Sequence, residues 1–308
     1  MGFASSPLAL PAKPTDRLRS SSAKSHARVR PSATAEELHA PPNLPRQNPR
    51  SAPEITHGLA EVSPHRHAVG VSDNHLRELE ATWRASASVE DEAAYLVERV
   101  RVGELKQSRL ELTASLGFPS ALLAVPSVPV ATDSQALLEL IAQRGDPVLI
   151  RGLLGLGYAA LPTWKEEQPQ SEEPEALFAL TEAWLVGLSP DFCQRAAGRW
   201  GNATNMMLQV DGGASQQASV AYLTCLQAVS TAMWASGWVE GTDPEEARIK
   251  KLERAAACVE AATCVAASPL SEDLARAAIA TELVPWALGY SDPVRERVEA
   301  RQREATGE

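Results

Sequence analysis

Histidine is missing from residues 76–308 of this 308-residue chain, since His26, His39, His57, His65, His67 and His75 are all six that it has. The body therefore lacks the usual general base, the usual partner of a Ser or Cys nucleophile, and a common zinc ligand. Cysteine is sparse too. Cys193, Cys225, Cys258 and Cys264 include no Cys-x-x-Cys pair, whereas zinc sites need close ligand pairs and disulfide frameworks belong to short secreted chains. They read as small buried hydrophobes in a reducing, cytoplasmic setting. No apolar run reaches the length of a membrane span: the best, residues 147–161, is short and carries Arg151.

Basic charge is scarce where it would be needed to hold nucleic acid. Residues 1–75 carry nine Lys and Arg against six Asp and Glu, which leaves twenty against thirty-three in the rest of the chain. Phosphate neutralisation needs clustered cations, so an acidic body excludes a nucleic-acid groove. It suits docking of a basic protein partner, or else an ordinary acidic cytosolic surface.

What is present is helix. From Pro244 the residues Ile249, Leu252, Ala256, Val259, Thr263 and Ala266 form one stripe, with Lys250, Lys251, Glu253 and Arg254 facing away. Residues 255–267 are small or apolar on nearly every side, which predicts a core helix at 244–268 that others wrap. The alternative is a surface helix rich in Ala because Ala is the best helix former.

Residues 1–71 hold ten prolines among many Ser and Arg, with no sustained apolar period. That composition predicts a disordered, partly polyproline-like tail. Met1–Ser6 fits the loose myristoylation pattern, and residues 13–32 have a transit-peptide composition, but solvated disorder explains both stretches. Residues 72–118 predict a small helical subdomain: Asp73 starts one helix, Ser88 with Asp91 a second that Gly103 breaks, and a third ends at Gly117. Pro119, Pro126 and Pro129 predict an extended connector over residues 118–131.

The main α-helical domain is expected at 132–308. Thr132 and Gln135 open a short helix, and Asp146-Pro147 caps a longer one carrying Leu149, Leu153, Leu156, Ala160 and Trp164. Gly152, Gly155 and Gly157 lie inside it in an order that is not a phosphate loop, so close helix approach is their expected role. Later, Pro285 is expected to kink or end a helix that Ser271 opens, and Asp292-Pro293 to open a last, very polar one. No fixed repeat period is present. The expected fold is all-α, an irregular multi-helix bundle or short helical array.

Two groups of residues are candidate binding residues. Glu172, Glu173 and Glu175 crowd the first turn of a helix, where the dipole favours carboxylates and where a basic partner would meet them. Trp234 and Trp238, four apart near Gly237, are the best aromatic contact candidates, with core packing against the 118–131 connector as the alternative. No catalytic set, metal-ligand spacing or cofactor motif is present.

Glu90–Leu105 continuing to Leu110–Gly117 resembles a segment of bacterial helical proteins. Leu161-Pro162-Thr163-Trp164, Pro169, Pro174, Ala176-Leu177 and Thr181–Leu185, followed by Ala-rich helices, is similar to a bacterial family of predicted immunity proteins. The resemblance implies an all-α, toxin-neutralising protein. Glu175 stands where the family carries Arg, and the family's helix histidines are absent here, so no site residue is carried over.

These observations predict a non-enzymatic protein-interaction module, immunity-like or adaptor, that binds a protein partner through an acidic helical surface. One alternative is a small-molecule binder or enzyme with a His-free inter-helix pocket, for example one gathering Glu182, Arg195 and Tyr222. Another is a structural subunit of a larger assembly.

Overall fold

Ser88, Asp133, Ser215, Ser271 and Asp292 each accept a hydrogen bond from the backbone N–H three residues on, and each starts a helix. The computed structural model describes residues 69–189, 191–210, 215–237, 242–263 and 268–307. Among them are twelve helices and no strand. They are α1 (Val69–Ser86), α2 (Val89–Arg101), α3 (Gln107–Ser115), α4 (Pro119–Ala124), α5 (Ser134–Gln143), α6 (Asp146–Glu167), α7 (Glu173–Leu185), α8 (Phe192–Val210), α9 (Gln216–Ala235), α10 (Pro244–Thr263), α11 (Glu272–Leu288) and α12 (Pro293–Thr306). The all-α reading holds for these residues. The tail expected at 1–71 falls, as far as residue 68, outside the described residues, and residues 69–71 already belong to α1.

Which helices are wrapped follows from composition. α6 and α9 bury twelve residues each, against five on α10. α9 packs most extensively on α6 and α10, while α11 lies along another side of α6. The core helix expected at 244–268 is thus one flank of the layer, not its centre: Ile249 is 43% exposed, and the buried face is Ala255, Cys258, Val259, Ala261 and Ala262. Alanine-rich sides admit close neighbours, but α6 and α9 carry the larger apolar groups that fill the interior. Residues 264–267 lie outside the described residues.

The glycines of α6 mark where neighbours come closest. A Cβ on Gly152 would lie 2.8 Å from Ile141 Cδ1 of α5, and one on Gly157 would lie 2.6 Å from Phe178 Cζ of α7. Close approach is therefore their role. Leu149, Leu153, Leu156, Ala160 and Trp164 are all buried, as their helical spacing predicts.

Proline placed two boundaries differently from the expectation. Residues 118–131 are not wholly extended, because Pro119 sits in the first turn of α4, where its missing N–H costs nothing. α11 continues through Pro285 to Leu288 and ends on Gly289 in the left-handed conformation. Capping positions shift as well: Asp133 rather than Thr132 caps α5, and Gly145 precedes α6, with Asp146 in its first turn.

The described residues belong to one compact unit. Leu96, Leu105, Leu110, Ala114 and Ala121 share a buried cluster with Leu288 of α11, so segments 72–118 and 132–308 contribute to the same core.

Candidate functional site

The carboxylates predicted at the start of α7 gather at the corner where α6 ends. The corner forms because Gln168 closes α6 by donating its N–H to the Trp164 carbonyl, and Pro174 then sits in the first turn of α7. Glu173 Oε2 accepts from Arg199 Nη1 at 3.0 Å, and Glu175 Oε1 pairs with Lys165 Nζ at 2.6 Å. Glu167 Oε2 accepts the Ser215 N–H at 2.7 Å, and bonds from Ser215 hold its pKa below the usual carboxylate value. Glu166 and Glu172 remain exposed, and Glu172 makes no side-chain cap hydrogen bond. The structure thus separates the predicted trio, with Glu173 and Glu175 committed to internal cations and Glu172 facing solvent.

Behind the corner, Trp164 stacks on Tyr222 with ring centroids 4.4 Å apart, and Tyr222 Oη donates to the Ala203 carbonyl at 3.2 Å. Burial, then the Glu173 charge, pushes the Tyr222 hydroxyl pKa up. Burial, then Cys258 and Glu175, does the same to the Cys225 thiol. Neither group is poised to give or take a proton near neutrality.

Trp234 lies in the last turn of α9, half-buried, and lines a depression of about 260 Å³ with Asp146, Arg248 and Lys251. Its lining comes from α6, α9 and α10 and from the turn after α9, not from the 118–131 connector. An adjoining depression of about 400 Å³ shares Arg248 and Lys251 and adds Glu139, Gln143 and Leu252. The cations there are internally paired, Lys251 with Asp146 at 2.5 Å and Arg248 with Glu245 at 2.6 Å. Trp238 lies outside the described residues.

Sequence reasoning missed a buried charge network beneath α12. Glu182, fully buried on α7, accepts from Arg297 Nε at 2.5 Å and also from Arg301. Glu282 of α11, 5% exposed, accepts both Arg297 Nη atoms at 2.7 and 2.8 Å. The Arg297 guanidinium lies 4.4 Å from the Tyr158 ring centroid, and Arg151 pairs with Asp292 at 2.7 Å. Burial opposes the Arg297 charge, but the Glu282 hydrogen bonds and the two carboxylate charges outweigh it and raise its pKa. The sequence signal was the pairing of Val294 and Val298 with Arg297 and Arg301 on neighbouring rows of one helix.

Glu182, Arg195 and Tyr222 are not brought together. Glu182 faces α12 and Tyr222 faces α8, while exposed Arg195 approaches Asp191 at 3.9 Å. Among the described residues, no group of three or more His, Cys, Asp or Glu is placed to hold a metal ion. No described helix is long and apolar enough to cross a membrane. No protein-family model matches the chain, and comparisons with curated proteins and with solved structures give no match.

Proposed function

We propose that the chain is a non-enzymatic helical interaction protein, immunity-like or adaptor, that binds a basic protein partner through the acidic corner between α6 and α7. The observation that carries this reading is the division of labour there. Glu167, Glu173 and Glu175 are held by Ser215, Arg199 and Lys165, which leaves Glu166 and Glu172 on a fixed frame facing solvent. Pre-positioned rim charges steer a partner of opposite sign and set the salt dependence of its association. The unpaired thiols Cys193, Cys225 and Cys258 support a reducing, cytoplasmic setting.

Affinity capture from native lysate with the full chain and with a version lacking residues 1–68 tests this. A stoichiometric basic protein retained by both supports binding on the helical body; retention of none removes the reading's basis. The roughly 400 Å³ depression between α5 and α10 favours a second reading, a small-molecule binder. A ligand screen by thermal shift that Lys251→Ala abolishes would support it instead.

A further inference from the structure

Eight described residues have a positive φ; seven are glycines that follow helix ends, and the eighth is Ala87, at φ 52°. Glycine enters the left-handed region freely, whereas the Cβ of alanine crowds the next carbonyl there. Ala87 and Ser88 are the whole connection between α1 and α2. The chain reversal at this point therefore rests on one strained residue. The stretch 84–90 contains neither Gly nor Pro, so nothing in it prevents α1 from running straight on into α2.

α1 holds to the body by a narrow seam. Its main packing partner among the helices is α2; Leu76 is buried, while Leu79, Glu80 and Trp83 are half-buried. Trp83 seats between two tyrosines, with its ring centroid 5.2 Å from Tyr95 of α2 and 5.3 Å from Tyr290, both stacked. The walls of that slot stand without α1. Tyr290 Oη donates to Glu92 Oε1 at 2.7 Å, and Ser120 Oγ donates to the other Glu92 oxygen at 2.5 Å. Arg99 donates to the Leu288 carbonyl at 2.6 Å, and its guanidinium lies 5.5 and 6.0 Å from the two tyrosine centroids. An aromatic slot fixed by its own hydrogen bonds accepts a tryptophan from either of two copies.

We propose that α1 is an exchangeable arm. In a two-fold dimer of this chain, α1 and α2 of each copy run on as one helix, and Trp83 of each copy enters the Tyr95–Tyr290 slot of the other. The contacts of α1 are the same in both forms, so the hinge and the entropy of association decide between them. The closed hinge keeps the Ser88 cap on the Asp91 N–H at 3.1 Å. The open hinge releases the left-handed alanine, and short strained hinges favour such exchange. Residue 87 tips the balance.

The test uses the full chain, refolded over a concentration series so that exchange is not trapped, with mass read by light scattering after size exclusion. Wild type is expected to show a concentration-dependent dimer. Ala87→Gly is expected to weaken it by roughly tenfold or more, because glycine relaxes the closed turn and weakens the continuous helix. Ala87→Val, worse at positive φ but tolerated in a helix, is expected to strengthen it. A second experiment mixes Trp83→Ala, which keeps the slot, with Tyr290→Ala, which keeps the arm. Each alone weakens the arm contact equally in the closed and exchanged forms, so neither is expected to dimerise more than wild type. The mixture regains one intact arm and slot only as a heterodimer, and is expected to be more dimeric than either. Wild type and Ala87→Val both monomeric throughout, a dimer indifferent to residue 87, or a mixture no more dimeric than its parts would each overturn the proposal.

Discussion

Gly155 of α6 faces the backbone of Ala278 on α11 so closely that a Cβ on it would lie 2.5 Å from the Ala278 carbonyl oxygen. A backbone oxygen cannot swing aside as a side-chain tip can, so the two helices would have to separate. Gly155→Ala is expected to cost about 1–3 kcal/mol or more, as overpacking does. Gly198 and Gly201 of α8 have nothing within 4 Å of such a Cβ. Alanine at either is expected to stabilise by up to about 1 kcal/mol through helix propensity. Denaturant midpoints of the three variants check both signs.

Arg297 ties α12 to two buried carboxylates, Glu182 on α7 and Glu282 on α11. Removing one partner of a buried pair leaves a charge uncompensated, so Arg297→Ala is expected to lose about 3–5 kcal/mol. Glu182→Leu should cost less, because Arg297 keeps Glu282 and no buried charge is stranded. Chemical denaturation read by circular dichroism ranks the two. Equal losses would contradict the argument that a stranded buried charge sets the cost.

How much of this was legible in sequence depends on range. Ser88, Ser271 and the α6 stripe act through neighbours three or four positions away, and the sequence displays them directly. The clamp on α12 reaches Glu182, more than a hundred positions away. Arg297 and Arg301 stand four apart in plain view, yet nothing in the chain says that Glu182 is the carboxylate they reach. Proline misled at residues 119 and 285 because one residue type both starts helices and breaks them. Glu173 and Glu175 lie in the first turn of α7, as their place beside Pro174 predicts, but their cations, Arg199 and Lys165, are brought up by tertiary packing.

Asp133 caps α5 by accepting the Ala136 N–H at 2.7 Å, and that bond holds its pKa below the usual aspartate value. Arg101 does the same for Glu98, and Ser215 for Glu167. A carboxylate whose folded pKa lies below its unfolded value stabilises the fold above the unfolded pKa. That stability is lost as pH falls through the folded pKa. Melting temperature is therefore expected to fall below about pH 4. Asp133→Asn keeps an amide oxygen for the cap but does not titrate, and should flatten this acid limb. An unchanged limb would show that Asp133 does not set it.

Cys225 and Cys258 are fully buried, and burial pushes both thiol pKa values well up. Cys193 is half-buried, with its sulfur 2.8 Å from Ser236 Oγ. Thiolate fraction and access set alkylation rates. Brief native alkylation at mildly alkaline pH, mapped by peptide mass spectrometry, is expected to modify Cys193 first and to reach Cys225 and Cys258 only on unfolding.

The most direct measurement is capture of the partner by the full chain, by Glu166→Lys/Glu172→Lys, and by Trp234→Ala, each washed at low and high salt. A basic protein is expected to be held by wild type and Trp234→Ala at low salt, weakened at high salt, and lost with the charge-reversed corner. A partner held equally by the charge-reversed variant, or lost only with Trp234→Ala, would contradict an acidic corner as the binding surface.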